Sequence, residues 1–197
     1  MRQLIIDYSE KLTKALKLNA MEQVPSLGSA LRECWRLGRT VYLCGNGGSA
    51  ANAIHIANDL LFGAGMKNGS GLKVEALSAN QAVLTCLAND IGYDAIFAEQ
   101  IRVKANPGDV LIVLSGSGNS PNVIKALEMG NAKGLKTFAI LGYSGGRCKE
   151  IAQCPIHFDI HDMQIAEDLQ LIVGHMCMQW LCVNPVNNNA TEKSIRP

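Results

Sequence analysis

The chain has 197 residues, 48% of them hydrophobic, which is enough for one sizeable buried core and short for two. Its 18 Lys and Arg nearly balance 17 Asp and Glu, which excludes the basic field that draws proteins without specificity to nucleic acid or anionic membranes. No stretch of about 18 apolar residues is present, and the charged opening MRQLIIDYSEKL is unlike an export signal, so a cytoplasmic protein with no membrane partner is expected.

Between Leu4 and Leu31 apolar residues recur at three and four positions, predicting two amphipathic helices broken between Gln23 and Ser26, where Pro25 sits. Residues 1–37 therefore read as a helical arm rather than a core layer. Thr40–Cys44 is a continuous apolar run ending at glycines, and a helix follows from Ala50 to about Phe62. The alternation repeats: strand Leu72–Leu77 with helix Gln81–Leu87, strand Val110–Leu114 with helix Asn122–Lys133, strand Thr137–Leu141 with helix Cys148–Ala152. A last strand, Pro155–Phe158, precedes a long helix from Met163 to Cys182. Apolar strands alternating with helices predict an α/β fold, a doubly wound five-stranded parallel sheet. Right-handed crossovers make 2-1-3-4-5 the economical strand order. One domain, 1–183, is expected, with 184–197 a loose polar tail around Asn187, Asn188 and Asn189. The seven cysteines show no paired spacing and read as reduced thiols.

In such a sheet, ligands bind beyond the carboxyl ends of the strands where the strand order reverses. Two loops there carry suitable chemistry. Gly45-Asn46-Gly47-Gly48-Ser49 follows the first strand, and Ser115-Gly116-Ser117-Gly118-Asn119-Ser120 follows the third. Glycines let backbone amides converge, serines add hydroxyl donors, and the helix that follows each loop favours an anion at its N-terminus. Each loop alone also fits an ordinary strand-to-helix turn. Neither matches GxxxxGK[ST] or GxGxxG, so a sugar phosphate is preferred to a nucleotide.

His55 and Asp59 stand four apart on one predicted helix, and Glu167 and His175 eight apart on the last. Two imidazoles and two carboxylates suit zinc or another divalent cation. The same residues also fit a solvated helix face and a core histidine. His157 and His161 read as surface or capping residues.

With GNGGSAANAIH, LANDIGYDAIF and LSGSGNSPNVIKAL, the sequence resembles the sugar-isomerase (SIS) superfamily, in its phosphoheptose isomerase branch, over nearly the whole chain. The resemblance implies conversion of sedoheptulose 7-phosphate to D-glycero-D-manno-heptose 7-phosphate in a homotetramer with active sites between subunits. It implies substrate contacts from Asn46, Gly47, Gly48 and Asp90, and phosphate contacts from Ser49, Ser115, Gly116, Ser117 and Ser120. It also implies a metal, zinc, held by His55, Asp59, Glu167 and His175, with Asp59 or Glu167 as base and His175 as acid. The sequence departs from the family at three of these positions: Gly116 stands for a threonine, Asp59 for a glutamate and Glu167 for a glutamine. Two non-enzymatic branches share the domain. A replication-initiator-associating branch shares SAANA at 49–53 but lacks counterparts of Asp59 and His175, and sugar-phosphate-sensing regulators add a DNA-binding segment that the first 39 residues do not provide.

Overall fold

The computed structural model describes residues 1–66 and 69–186, so most of the expected polar tail lies outside the described residues. Five strands form the sheet: β1 Thr40–Gly45, β2 Lys73–Ala76, β3 Val110–Ser115, β4 Lys136–Leu141 and β5 Cys154–His157. All pairings are parallel and the order is β2-β1-β3-β4-β5, as expected. Eight α-helices accompany them among the described residues: α1 Arg2–Ala15, α2 Val24–Arg36, α3 Gly48–Asn58, α4 Gln81–Asp90, α5 Ala98–Lys104, α6 Pro121–Ala132, α7 Gly146–Ile151 and α8 Met163–Val183.

Alternate residues of each strand enter opposite cores, the two-residue period of a pleated sheet covered on both sides. Val41, Leu43, Ile112 and Ile140 pack with Leu27, Leu31, Ile56 and Val173 of α2, α3 and α8. Tyr42, Cys44, Leu111 and Val113 pack with Ile101, Val123 and Leu127 of α5 and α6. Helix α5 has no counterpart among the sequence-predicted elements; its seven residues are too few to show a helical period.

The N-terminal reading needs correction. Only Ala15 of α1 is buried, and α1 is tied to α8 by the Tyr8 hydroxyl donating to Asp168 Oδ2 (2.6 Å) and by the Lys11–Asp162 ion pair (2.9 Å). Helix α2, by contrast, buries Val24, Leu27, Gly28, Ala30, Leu31, Cys34 and Trp35 and is a layer of the core. At about 1.5–3 kcal/mol for each fully buried leucine, Leu27 and Leu31 alone make α2 integral to the fold. Pro25 starts this helix instead of interrupting one, because a first-turn residue has no intrahelical use for its N–H. The break falls earlier, at the 3₁₀ turn Asn19–Gln23. At the other end the chain stays packed through Val186, which is buried, while Arg32 donates to the carbonyls of Asn184 and Pro185.

Candidate active site

Strands β1 and β3 are neighbours, with Gly45 beside Leu114, and the winding reverses between them. The two glycine- and serine-bearing loops therefore leave adjacent strand ends. Gly47, with φ of +55°, turns the first loop into α3, and Ser120 precedes α6 without spending its hydroxyl on a cap. The first loop reaches the start of α6: Asn46 Nδ2 donates to Asn122 Oδ1 (2.9 Å), and Asn122 Nδ2 donates back to Asn46 Oδ1 (2.8 Å). Tyr93 Oη also meets Asn46 Oδ1, at 3.0 Å. The N-termini of α3 and α6 thus lie side by side at the switch point, the place where sheets of this kind take their ligands.

The second loop is internally braced. Gly118 N donates to Ser115 Oγ (3.0 Å), Asn119 N to Ser117 Oγ (3.4 Å), and Asn119 Oδ1 accepts from Arg147 N (3.0 Å). The hydroxyl oxygens of Ser115 and Ser117 accept these bonds, which leaves their protons free to donate to a ligand. Gly116 is closed off from above: a Cβ there would lie 2.5 Å from Met163 Sδ. The missing threonine and the overlying methionine are therefore one packing arrangement. Beside it, Tyr143 adopts a left-handed backbone (φ +44°), its carbonyl 2.7 Å from His157 Nε2 and its ring edge-on to His161.

Along α3, seven residues beyond Gly48, stands His55. Its Nε2 lies 2.9 Å from Nε2 of His175 on α8. Asp59 Oδ2 lies 3.5 Å from each of these nitrogens. The three candidate ligand atoms fall within 4.8 Å of one another. Asp59 opens a π-helical turn, Asp59–Gly63, a distortion common at functional sites. Asp59 is largely shielded, at 17% side-chain exposure, whereas His55 is 52% and His175 41% exposed. Two imidazoles and one carboxylate with an open side could hold a divalent cation and leave a position free.

Glu167 does not join this cluster. It lies two turns up α8, over the first loop, where a Cβ on Gly48 would meet Glu167 Oε1 at 2.4 Å. Asn52 of α3 holds that part of α8, its amide donating to the Glu167 carbonyl and to Gln170 Oε1, each at 3.0 Å. Asp90, at the end of α4, accepts from Asn89 Nδ2 (2.8 Å) and Cys86 Sγ (3.4 Å), which hold its carboxyl below the usual range. Among the described residues it forms no hydrogen bond with either loop. Burial pushes the Cys34, Cys148 and Cys177 thiols up to about 12, which removes them as thiolate nucleophiles.

Tyr93, Asn122 and Asn52 were not singled out by sequence reasoning. Asn122, in the second position of α6, is 1% exposed although polar; its place just past the serine-rich loop is the signal that was available. Nothing in the sequence alone brings Tyr93 to Asn46, 47 residues away.

The fold is that of a doubly wound α/β protein with two glycine- and serine-bearing loops at its switch point and a histidine–carboxylate cluster further along α3 and α8. The SIS domain profile matches residues 6–142, and the chain belongs to the SIS-domain family, in its phosphoheptose isomerase branch. It is 36% identical over 176 residues to the phosphoheptose isomerase of Chlorobaculum parvum, covering 87% of this chain and 83% of that one. It is 40% identical to the Rhodospirillum rubrum phosphoheptose isomerase over 141 residues, 72% of this chain and 74% of that one. The solved phosphoheptose isomerase from Francisella tularensis superposes with a TM-score of 0.84 at 25% identity, covering 92% of this chain and 97% of the other.

Proposed function

We propose that the protein is an aldose–ketose isomerase that converts sedoheptulose 7-phosphate to D-glycero-D-manno-heptose 7-phosphate. The observation that carries this reading is that α3 begins at the glycine-serine loop and presents His55 further along, with Asp59 in the π-helical turn that continues it and His175 facing both. From Gly48 to His55 the helix rises about 10 Å, a span suited to an extended seven-carbon phosphate ester.

Ser49, Ser115, Ser117 and Ser120, with the N-termini of α3 and α6, hold the phosphate, and Gly47, Gly48 and Gly116 allow the backbone to approach it. Binding there supplies energy remote from the reacting carbons and keeps the open-chain sugar in register. Asn46 and Asp90 contact hydroxyl or carbonyl oxygens. Asp59 removes a proton from C1 while His175 donates one to the C2 carbonyl oxygen, giving the enediol; the C1 hydroxyl then returns a proton to His175 and Asp59 delivers its proton to C2. Asp59 is favoured over Glu167 as base because it lies beside His175, while Glu167 faces the first loop. His55, Asp59 and His175 would hold a divalent ion, zinc by the character of the ligands, and such an ion would polarise the carbonyl and stabilise the enediolate.

Exposed apolar side chains border the cluster, among them Ile54, Leu61 and Phe62 on either side of His55 and Met176 and Trp180 after His175. They support a homotetramer in which a neighbouring subunit closes each site. A cytoplasmic location fits a phosphorylated intracellular substrate. The test is to incubate the purified protein with sedoheptulose 7-phosphate and with ketose 6-phosphates, with and without chelator, following products by NMR. Turnover of the heptulose phosphate that chelation abolishes supports the reading; no turnover of any of them refutes it.

A further inference from the structure

Asn46, Asn122 and Tyr93 form a closed network whose polarity can be fixed from one donor. Val123 N donates to Asn122 Oδ1 at 3.0 Å, and a backbone N–H can only donate. The Asn122 atom beside it is therefore its oxygen. The atom of Asn46 that faces this oxygen must be a nitrogen, and its partner across the amide pair must be the Asn46 oxygen, receiving Asn122 Nδ2. Tyr93 Oη, 3.0 Å from that same oxygen, then acts as donor. Both lone pairs of Asn46 Oδ1 and one of its two N–H bonds are consumed, so one N–H is left.

We infer that Tyr93 is a positioning residue which, with Asn122, locks the Asn46 amide so that it presents a single N–H, and no carbonyl, to an oxygen of the substrate. The inference rests on the isomerase reading above and deepens it by assigning Asn46 the role of a donor. Without the Tyr93 hydroxyl, the Asn46 oxygen keeps one spare acceptor site and the amide is free to tilt toward water. Gly92, with φ of +115°, swings the chain so that Tyr93 can reach across, and an ion pair between Asp94 and Lys125 fastens the Tyr93–Ala95 turn to α6. Tyr93 is 61% exposed, which makes Tyr93→Phe mild for folding.

The test is Tyr93→Phe in wild-type and Asn46→Ala backgrounds, with kcat/KM for sedoheptulose 7-phosphate and Tm measured on each. The hydroxyl's loss is expected to lower kcat/KM about 3–10-fold in the wild-type background with Tm unchanged, and to do nothing further once Asn46 is alanine. An unchanged kcat/KM, or an equal drop in the Asn46→Ala background, overturns the assignment, since a merely structural role would act in both. A second arm needs no substrate: Tyr93→Phe should shift the Asn46 side-chain amide resonances of the resting protein in ¹⁵N–¹H spectra. If the wild type turns over no ketose phosphate, the activity reading falls and this arm alone decides, with unmoved Asn46 resonances refuting the network.

Discussion

Gly174 of α8 rests directly on Ile56 of α3: a Cβ at 174 would stand 2.6 Å from Ile56 Cγ1. The next residue on α8 is His175 and the preceding one on α3 is His55, so this contact sets the distance between the two imidazoles. Glycine within a helix costs about 1 kcal/mol relative to alanine, and the close approach is what that cost obtains. Gly174→Ala should force α8 outward against a side chain that is 3% exposed and has little room to yield. Overpacking of this kind costs about 1–3 kcal/mol, more than the gain in helix propensity, so urea unfolding should show a net loss. The affinity of the proposed cation site, measured with zinc as the probe by competition with a chromophoric chelator, should fall at least tenfold. A variant more stable than wild type with unaltered zinc binding would show that the contact does not position the histidines.

The two carboxylates are set apart by position, Asp59 beside His175 and Glu167 over Gly48. A positioned base contributes about 10²–10⁴-fold to a proton transfer, so Asp59→Asn should lower kcat by that range. Glu167→Gln, which keeps size and removes the charge, should cost less than tenfold and act mainly on KM. Gly48→Ala should act on the same carboxylate, the end of a flexible side chain that its Cβ would displace, and also on the phosphate loop to which Gly48 belongs. It should reproduce the KM effect with Tm little changed. Exchange of the substrate's C1 hydrogen with solvent deuterium, followed by NMR, distinguishes a lost base from weakened binding; persistence of exchange in Asp59→Asn would transfer the role to Glu167.

How far the sequence reached follows from what its patterns encode. Apolar runs of five or six residues, such as Val110–Leu114, announce buried parallel strands whatever packs on them, and glycine-serine loops at their ends announce a crevice. Both readings hold. Periodicity along α1 and α2 looks alike, yet only α2 faces the sheet; the pattern shows that a stripe exists and not what covers it. The eight-residue interval between Glu167 and His175 suggested a shared face, but it advances α8 by about 12 Å, and the structure leaves Glu167 over Gly48. Contacts of the Tyr93–Asn46 kind join distant segments by single atoms and leave no period to read.

Gly116 and Met163 make a coupled pair. Gly116→Thr, which installs the residue typical of the family, would place its Cβ 2.5 Å from Met163 Sδ. Methionine is flexible, so the displacement should cost about 1 kcal/mol rather than unfold the protein. Turnover should drop as the second loop is pushed out of shape. Met163→Ala combined with Gly116→Thr should restore both, giving a coupling energy of about 0.5–3 kcal/mol in a double-mutant cycle. Strict additivity of the two substitutions would show that Met163 is not what excludes a side chain at 116.

The last prediction concerns how α1 is held. Burial, reinforced by the hydrogen bond to Asp168 and by that residue's negative charge, pushes the Tyr8 hydroxyl from its ordinary value near 10 up to about 12. The folded protein thus keeps this proton at pH values where the unfolded chain has released it. Unfolding then loses a proton, the unfolded state binds fewer than the native state, and stability falls as pH rises between about 10 and 12. The contribution is complete below pH 10. Tyr8→Phe should therefore cost about 1 kcal/mol at pH 8, the usual net worth of a hydrogen bond. The gap between variant and wild type should narrow as pH climbs toward 12, since only the wild type has this proton to lose. Urea denaturation at pH 8, 10 and 11.5 measures it, and a gap that stays constant across the three would mean that the Tyr8–Asp168 bond does not fasten α1 to α8.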